Sequence, residues 1–184
     1  HGFYTGGNTC AGGNYLFSAA YLTNRKGPVM EEDDPFNPNP DATCDTLLLP
    51  AAFVDQAYFL PDDQEIIKNA IMEYGGVFTT MYMDMSNFNY SSDTYYYNGE
   101  EGINHAVMIA GWDDNLQTDG GTGAWIVKNS WGSTWGDQGY FYIAYQDSQI
   151  LNTNAVFPSF SMNTENRLLY AYDELGTTTS IGYN

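Results

Sequence analysis

Apolar residues at helical spacing predict two helices in the first half of the chain. The first runs from Tyr15 to Lys26 and stops before Gly27-Pro28, a pair that ends helices. The second runs from Asp62 to Tyr74, with an aspartate that can cap its first turn and Gly75-Gly76 after its last. The stripe expected to pack against the rest of the fold consists of Ile66, Ile67, Ala70, Ile71 and Tyr74.

Strand-like runs follow the second helix, separated by connections rich in Gly, Asn and Asp. These runs are VFTTMYMD, HAVMIAGW, AWIVKNS, GYFYIAY and NAVF. Helices followed by strands that are mostly antiparallel indicate the α+β fold class. The tyrosine-rich segment NYSSDTYYYNGEEG, between the first two runs, is predicted to be a surface loop or a sheet edge.

Composition narrows the possible partners. The chain is 43% hydrophobic and 16% aromatic, as expected of a globular protein, and its 23 acids and 5 basic residues give a net charge of −18. So few cations disfavour nucleic acid and anionic membranes as partners. No apolar run approaches the ~20 residues of a membrane span. The charge favours solubility, and adaptation to a salty exterior is the alternative.

Two polar residues at strand ends are the candidate chemistry. His105 opens the apolar run HAVMIAGW, and Asn129 closes AWIVKNS. If neighbouring strands bring them together, the Asn side-chain oxygen accepts a hydrogen bond from one ring nitrogen and aims the other at a nucleophile. The nearby Trp131 would then shield that hydrogen bond from water.

These motifs identify a family resemblance. NHAVMIAGW followed by KNSWGSTWGDQGY resembles the papain family of cysteine peptidases, over Ile103 to Tyr145 with an insertion-prone loop at Asp113 to Thr122. The resemblance implies that His105 is the catalytic base and that Asn129 orients it. It also implies a papain-like fold that is incomplete, comprising mostly the antiparallel β half with helices of the other half.

The resemblance also implies a substrate cleft and a set of partners. The partner is a peptide or protein substrate with an apolar side chain two residues before the cut, and no metal or organic cofactor is implied. CAGGN resembles the family segment in which a glycine, here Gly13, binds the substrate backbone. The substrate-binding residues expected on this basis are Gly12, Gly13, Tyr15, Ile103, Asn104, Ala106 and Trp131.

The family's nucleophile motif, Cys-Gly-Ser-Cys-Trp, is not in this sequence. Cys10 lies 95 residues before His105, whereas the family spacing is about 130–150. We therefore expect the catalytic cysteine on a segment upstream of His1, and we expect this chain alone to be inactive. Cys10 and Cys44 can pair with each other, pair with other cysteines or stay free.

Residues 1–160 are expected to form the peptidase domain, and residues 161–184 a linker and the start of a further, lectin-like β domain. The location expected is extracellular or the cell surface. The alternative function is a non-catalytic relic that binds glycans or proteins, with Tyr95-Tyr96-Tyr97 as its candidate surface. A transglutaminase-type hydrolase is a third possibility, disfavoured because that class usually orients its His with Asp.

Overall fold

The computed structural model describes residues 15–24, 27–35, 37 and 48–162. The chain divides into two units, one comprising His1–Ala57 with Ser159–Asn184 and the other Tyr58–Pro158. The helices and the short 3₁₀ turn are α1 (Tyr15–Thr23), α2 (Gln64–Tyr74) and Met85–Asn87. The strands are β1 (Ala52–Leu60), β2 (Val77–Met81), β3 (Phe88–Asn89), β4 (Thr94–Tyr95), β5 (His105–Thr118), β6 (Gly121–Lys128), β7 (Tyr140–Ala144) and β8 (Asn154–Met162).

The two predicted helices are present, each shorter than expected. In α1, the Thr23 hydroxyl donates to the carbonyl of Ala19 at 2.8 Å, and the helix ends there. Arg25 and Lys26, the predicted end, lie outside the described residues. In α2, the Asp63 side chain accepts the backbone N–H of Ile66 at 3.0 Å, so this aspartate is the N-cap.

Gly75 ends α2 in the left-handed conformation, with φ of 84°, as its place after the helix predicts. The helix buries Ile67, Ala70 and Ile71 against the core. The prediction that Ile66 also packs there is wrong, because 40% of its surface is exposed. The apolar stripe of α2 is therefore narrower than the sequence suggests.

The strands form one sheet in the order β1-β8-β2-β5-β6-β7-β4-β3. The neighbours β2, β5, β6 and β7 pair antiparallel, as expected, but β4 runs parallel to β7 through Thr94↔Tyr142 and Tyr95↔Ile143. The tyrosine-rich segment supplies β3 and β4 at the end of the sheet, which confirms the predicted edge. β1 was not among the strand-like runs, because its polar Asp55-Gln56 interrupts the alternation.

The expected loop at Asp113 to Thr122 is instead an extension of the β5–β6 hairpin. Its register includes Asp113↔Ala124 and Thr118↔Gly121, with an irregularity between Asp113 and Gln117. The side chains of Gln117 and Thr122 hydrogen-bond across the pair at 3.0 Å. Polar cross-strand pairing, rather than an apolar pattern, therefore holds this part of the hairpin together.

One face of β2, β5, β6 and β7 packs against α2 to form the core of the second unit. Along β5, Val107 and Ile109 point into this core, and alternation places His105 on the same face. The buried residues of these elements include Ile67, Ile71, Val77, Met81, Val107, Ile109, Val127, Phe141 and Ile143. The strand that begins with His105 is therefore fixed by packing on one side.

No helix within the described residues is long and apolar enough to cross a membrane.

Candidate active site

His105 is the first residue of β5 and pairs with Met81, the last residue of β2. Its ring lies at the end of the core face, where the side chain is partly buried. The His105 Nε2 atom lies 2.9 Å from the Oδ1 atom of Asn129. The pairing predicted from two strand ends is therefore present, within ordinary hydrogen-bond distance.

Asn129 directly follows β6 and is 7% exposed. Its backbone N–H donates to the carbonyl of Gly139 at 2.9 Å, which fixes the main chain beside the turn that follows. Its Oδ1 also accepts the N–H of Ser130 at 2.8 Å. Because Oδ1 is an acceptor in both bonds, His105 must carry its proton on Nε2, and Nδ1 is the nitrogen left to act as a base.

The amide nitrogen of Asn129 is buried and has no hydrogen-bond partner among the described residues. A buried polar group without a partner costs free energy. The arrangement satisfies the oxygen that faces His105 and leaves the nitrogen unpaired. The oxygen of this amide is thus the atom that pairs with His105 and Ser130.

Trp131 lies beside the pair. The centroid of its ring is 5.1 Å from that of His105, at 38° between the planes. Trp135 supports Trp131 edge-on at 4.9 Å and itself contacts Phe141 of the core at 5.4 Å. The aromatic wall beside His105 is thus anchored in the sheet, and it excludes water from one side of the imidazole.

The turn that carries these tryptophans depends on glycine. Gly132 has φ of 88° and Gly136 has φ of 56°, both in the left-handed region. A Cβ atom at Gly136 would collide with the backbone oxygen of Tyr140. The glycine after each tryptophan in the sequence therefore allows the close turn that brings Trp131 to His105.

Asn104 anchors the residue before the histidine. Its Oδ1 accepts the N–H of Met83 at 2.7 Å, and its Nδ2 donates to the carbonyl of Met83 at 3.0 Å. Its backbone N–H donates to the carbonyl of Met81 at 3.1 Å. The side chain thus continues the β2–β5 ladder by one step, using an amide where the backbone would otherwise be unpaired.

The other residues predicted to bind substrate differ in how far the structure describes them. Ile103 and Ala106 are exposed beside the histidine, and Ala106 points to the face opposite the core. Tyr15 lies at the start of α1, in the other unit of the chain. Gly12 and Gly13 lie outside the described residues, as do Cys10 and Cys44.

A carboxylate that the sequence did not single out holds the loop before His105. Asp147 accepts three backbone N–H groups, from Tyr97 at 2.8 Å, Gln149 at 2.9 Å and Ile150 at 3.0 Å. Burial raises the pKa of this carboxyl group. Its position two residues after the run GYFYIAY, in the turn-forming string DSQ, is the sequence signal that could have pointed to it.

In the candidate glycan surface Tyr95-Tyr96-Tyr97, the first and third tyrosines are engaged in contacts within the protein. Tyr95 is buried in the core, where its hydroxyl donates to the carbonyl of Tyr82 at 2.8 Å. Burial raises its pKa to about 12. Tyr97 packs on Tyr82 with ring centroids 4.5 Å apart, and its hydroxyl accepts the N–H of Glu101 at 3.0 Å. Tyr95 therefore belongs to the protein interior and Tyr97 to the loop before His105, so neither ring is part of an open sugar-binding surface.

Residues 4–159 match the family model described as papain family cysteine protease. The chain belongs to the papain family of cysteine proteases. It is 31% identical over 144 residues to the cathepsin L-like peptidase of Aedes aegypti, across 76% of this chain and 41% of that protein. It is 28% identical over 142 residues to cathepsin K of Mus musculus, across 74% of this chain and 42% of that protein.

Solved structures of this family have the same fold. The cysteine protease and lectin-like domains of Cwp84, a surface layer associated protein of Clostridium difficile, match with a TM-score of 0.78 and 30% identity, over 90% of this chain and 40% of that one. Bromelain protease from Ananas comosus matches with a TM-score of 0.64 and 25% identity, over 84% and 73%. This papain-family chain thus spans less than half the length of the curated relatives it matches.

Proposed function

We propose that the protein is a papain-like cysteine endopeptidase in which His105 is the general base and acid and Asn129 orients it. The observation that carries this proposal is the 2.9 Å contact between His105 Nε2 and Asn129 Oδ1 beside Trp131. It leaves His105 Nδ1 as the nitrogen available to a nucleophile. Membership of the papain family of cysteine proteases supports the same roles.

In the proposed reaction, Nδ1 of His105 takes the proton of a cysteine thiol, and the thiolate attacks the peptide carbonyl. The imidazolium then gives that proton to the leaving amine, and a thioester acyl-enzyme forms. Water, deprotonated by His105, hydrolyses the thioester. Asn129 accepts from Nε2 in every step, so the ring neither flips nor loses the correct tautomer.

We propose that neither Cys10 nor Cys44 is the nucleophile. Cys10 precedes His105 by 95 residues and Cys44 by 61, both shorter than the family spacing of about 130–150. The thiolate would then be supplied by a cysteine outside these 184 residues, and this chain alone would not hydrolyse peptides. Labelling with a thiol-directed peptidase inhibitor tests the point, since labelling of Cys10 that requires His105 would contradict it.

The proposed substrate is a polypeptide with an apolar side chain two residues before the cut. The exposed Ile103 and Ala106 lie next to His105 in sequence and would form one wall, with Asn104 holding that wall in place. Gly12, Gly13 and Tyr15 are proposed as further substrate-binding residues by family resemblance. Trp131, whose exposed ring lies beside His105, is proposed as a further substrate-binding residue.

We propose an extracellular or cell-surface location, with residues 1–160 as the peptidase domain and 161–184 leading into a lectin-like domain. The support is the similarity to the cysteine protease and lectin-like domains of Cwp84, described as surface layer associated.

Among the described residues, no group of acidic, Cys and His side chains could hold a metal ion.

The experiment compares peptide hydrolysis, under reducing conditions, by the protein supplied with the segment that carries the proposed catalytic cysteine and by variants of that same protein. His105→Ala should lose about 10²–10⁴ in kcat/KM, the usual contribution of a general acid–base group. Asn129→Ala should lose about 10- to 100-fold, equivalent to the ~1.5–3 kcal/mol of a hydrogen bond to a charged ring. Trp131→Ala should behave like Asn129→Ala, because water would then compete for the same bond.

Asn115→Ala is the matched control, because its side chain is exposed on the extended β5–β6 hairpin. It should leave the rate unchanged. If the wild-type protein supplied with its complete cleft is inactive towards peptides and takes up no thiol-directed label, the non-catalytic alternative replaces the peptidase.

A further inference from the structure

The hairpin formed by β3 and β4 carries a sequence signal that the peptidase reaction does not use. Its strand end and tip read Asn89-Tyr90-Ser91, the Asn-x-Ser pattern of an N-glycosylation acceptor. Asn89 is the one asparagine in the sequence that is followed by Ser or Thr two positions later. The pattern alone is common by chance, so its value depends on where the fold places it.

The fold places it at the end of the sheet. β3 is the last strand in the order, so the hairpin has a paired neighbour on one side only. Residues 90–93 form a turn, closed by the Ser92 N–H donating to the carbonyl of Asn89 at 3.3 Å. Tyr90 is 69% exposed, and Ser91 is exposed beside it. A transferase can therefore approach this tip without opening the core.

The side chain of Asn89 is arranged so that its nitrogen is available. Its Oδ1 accepts the backbone N–H of Ser91 at 3.1 Å and the Ser91 hydroxyl at 2.7 Å. Both bonds use the oxygen, and among the described residues no hydrogen bond uses the Asn89 Nδ2 atom. Drawing the carbonyl oxygen into two hydrogen bonds also polarises the amide whose nitrogen must react.

The hairpin is also rigid enough to carry a bulky group. Phe88, next to Asn89, is buried against Trp135 with ring centroids 5.1 Å apart, and Tyr90 packs edge-on against Phe88 at 5.0 Å. The backbone on both sides of Asn89 is thus held by the aromatic cluster. A saccharide added at Asn89 would project from the sheet edge and leave the buried contacts intact.

We propose that Asn89 is a site of N-linked glycosylation. The inference rests on the extracellular or surface location proposed above, because the transfer takes place during export. The Asn89 Nδ2 atom forms a bond to C1 of an oligosaccharide, while the bond from that carbon to the phosphate of a lipid diphosphate carrier breaks. The carrier leaves as the lipid diphosphate, and the amide releases one proton.

The test is mass spectrometry of tryptic and chymotryptic peptides of the protein purified from outside the cells of its own host. The Asn89–Ser91 peptide should appear with an added oligosaccharide, and its fragmentation should place the sugar on Asn89. Ser91→Ala should abolish the modified peptide, whereas Ser91→Thr should retain it. Ser92→Ala is the matched control, because it alters the neighbouring serine outside the pattern and should stay modified.

The outcomes separate this inference from the proposed location. Exported protein whose Asn89 peptide is wholly unmodified overturns the glycan and leaves the location standing. Protein found only inside the cells overturns both. A glycan that persists in Ser91→Ala would mean that another residue carries it, and Asn89 would then be the wrong assignment.

Discussion

Replacing Ile67 with alanine should destabilise the protein strongly, because this side chain is 0% exposed between α2 and the sheet. The substitution removes about three buried carbons, worth roughly 0.8 kcal/mol each in transfer free energy. The cavity left behind adds to this, so the expected loss is about 3–4 kcal/mol, within the ~2–5 kcal/mol of similar deletions. The space would open beneath β5, the strand that begins with His105.

The adjacent Ile66 supplies the control. It is the same residue type in the same helix, but 40% of its surface is exposed. Ile66→Ala should cost about 1 kcal/mol or less, since little surface is lost from the core and alanine is the better helix former. Both variants change helix propensity equally, so the difference between them isolates packing.

The measurement is urea unfolding, followed by the fluorescence of the four tryptophans, of which Trp125 is buried in the core. The midpoint should fall for Ile67→Ala with the same dependence on urea, and it should hardly move for Ile66→Ala. Equal losses for the two variants would refute the assignment of the buried face. A loss below about 0.5 kcal/mol for Ile67→Ala would show that α2 does not pack on the sheet as described.

Two further predictions concern polar contacts. Asn104→Asp keeps the hydrogen bond from the Met83 N–H but loses the donor to the Met83 carbonyl. The free energy of unfolding, measured with urea, should therefore fall by about 0.5–1.5 kcal/mol. Asn104→Gln should also be less stable than the wild type, although it keeps the amide group. Hydrogen bonds from Lys68 and Tyr145 lower the pKa of Asp114. Its stabilisation is therefore complete above the ordinary pKa of 3.8 and lost as the pH falls below it. Melting temperatures measured from about pH 6 to pH 3 should fall more steeply for the wild type than for Asp114→Asn, and parallel curves would contradict this.

The parts of the fold that the sequence predicted are those governed by local patterns. The caps of α2 could be predicted because Asp63 and Gly75 act on their own helix ends. His105 and Asn129 could be predicted to meet because each lies at the end of an apolar strand in adjacent positions of the sheet. In each case, the deciding interaction involves few residues and short separations.

The parts that the sequence did not predict depend on distant neighbours. β4 consists of two residues, and only its pairing with β7 makes it a strand. Neither the exposure of Ile66 nor the burial of Tyr95 follows from local periodicity, because each depends on which surface the sheet covers. The hydrogen bonds of Asn104 to Met83 could not be predicted from the sequence either, since an exposed polar residue has many possible partners.

The parallel pair of β4 and β7 has a consequence for how the protein folds. β5, β6 and β7 follow one another along the chain and pair as neighbours, so they can associate by closing short loops. Thr94 of β4 can pair only after Tyr142 of β7 is in place. Tyr142 comes much later in the sequence, after the long strands β5 and β6. We expect the amides of β5 and β6 to gain protection in pulse-labelled hydrogen exchange before those of β3 and β4. The strands that bear His105 and Asn129 would then be among the first to assemble, and the hairpin with Asn89 would remain open longest to enzymes that act on the nascent chain.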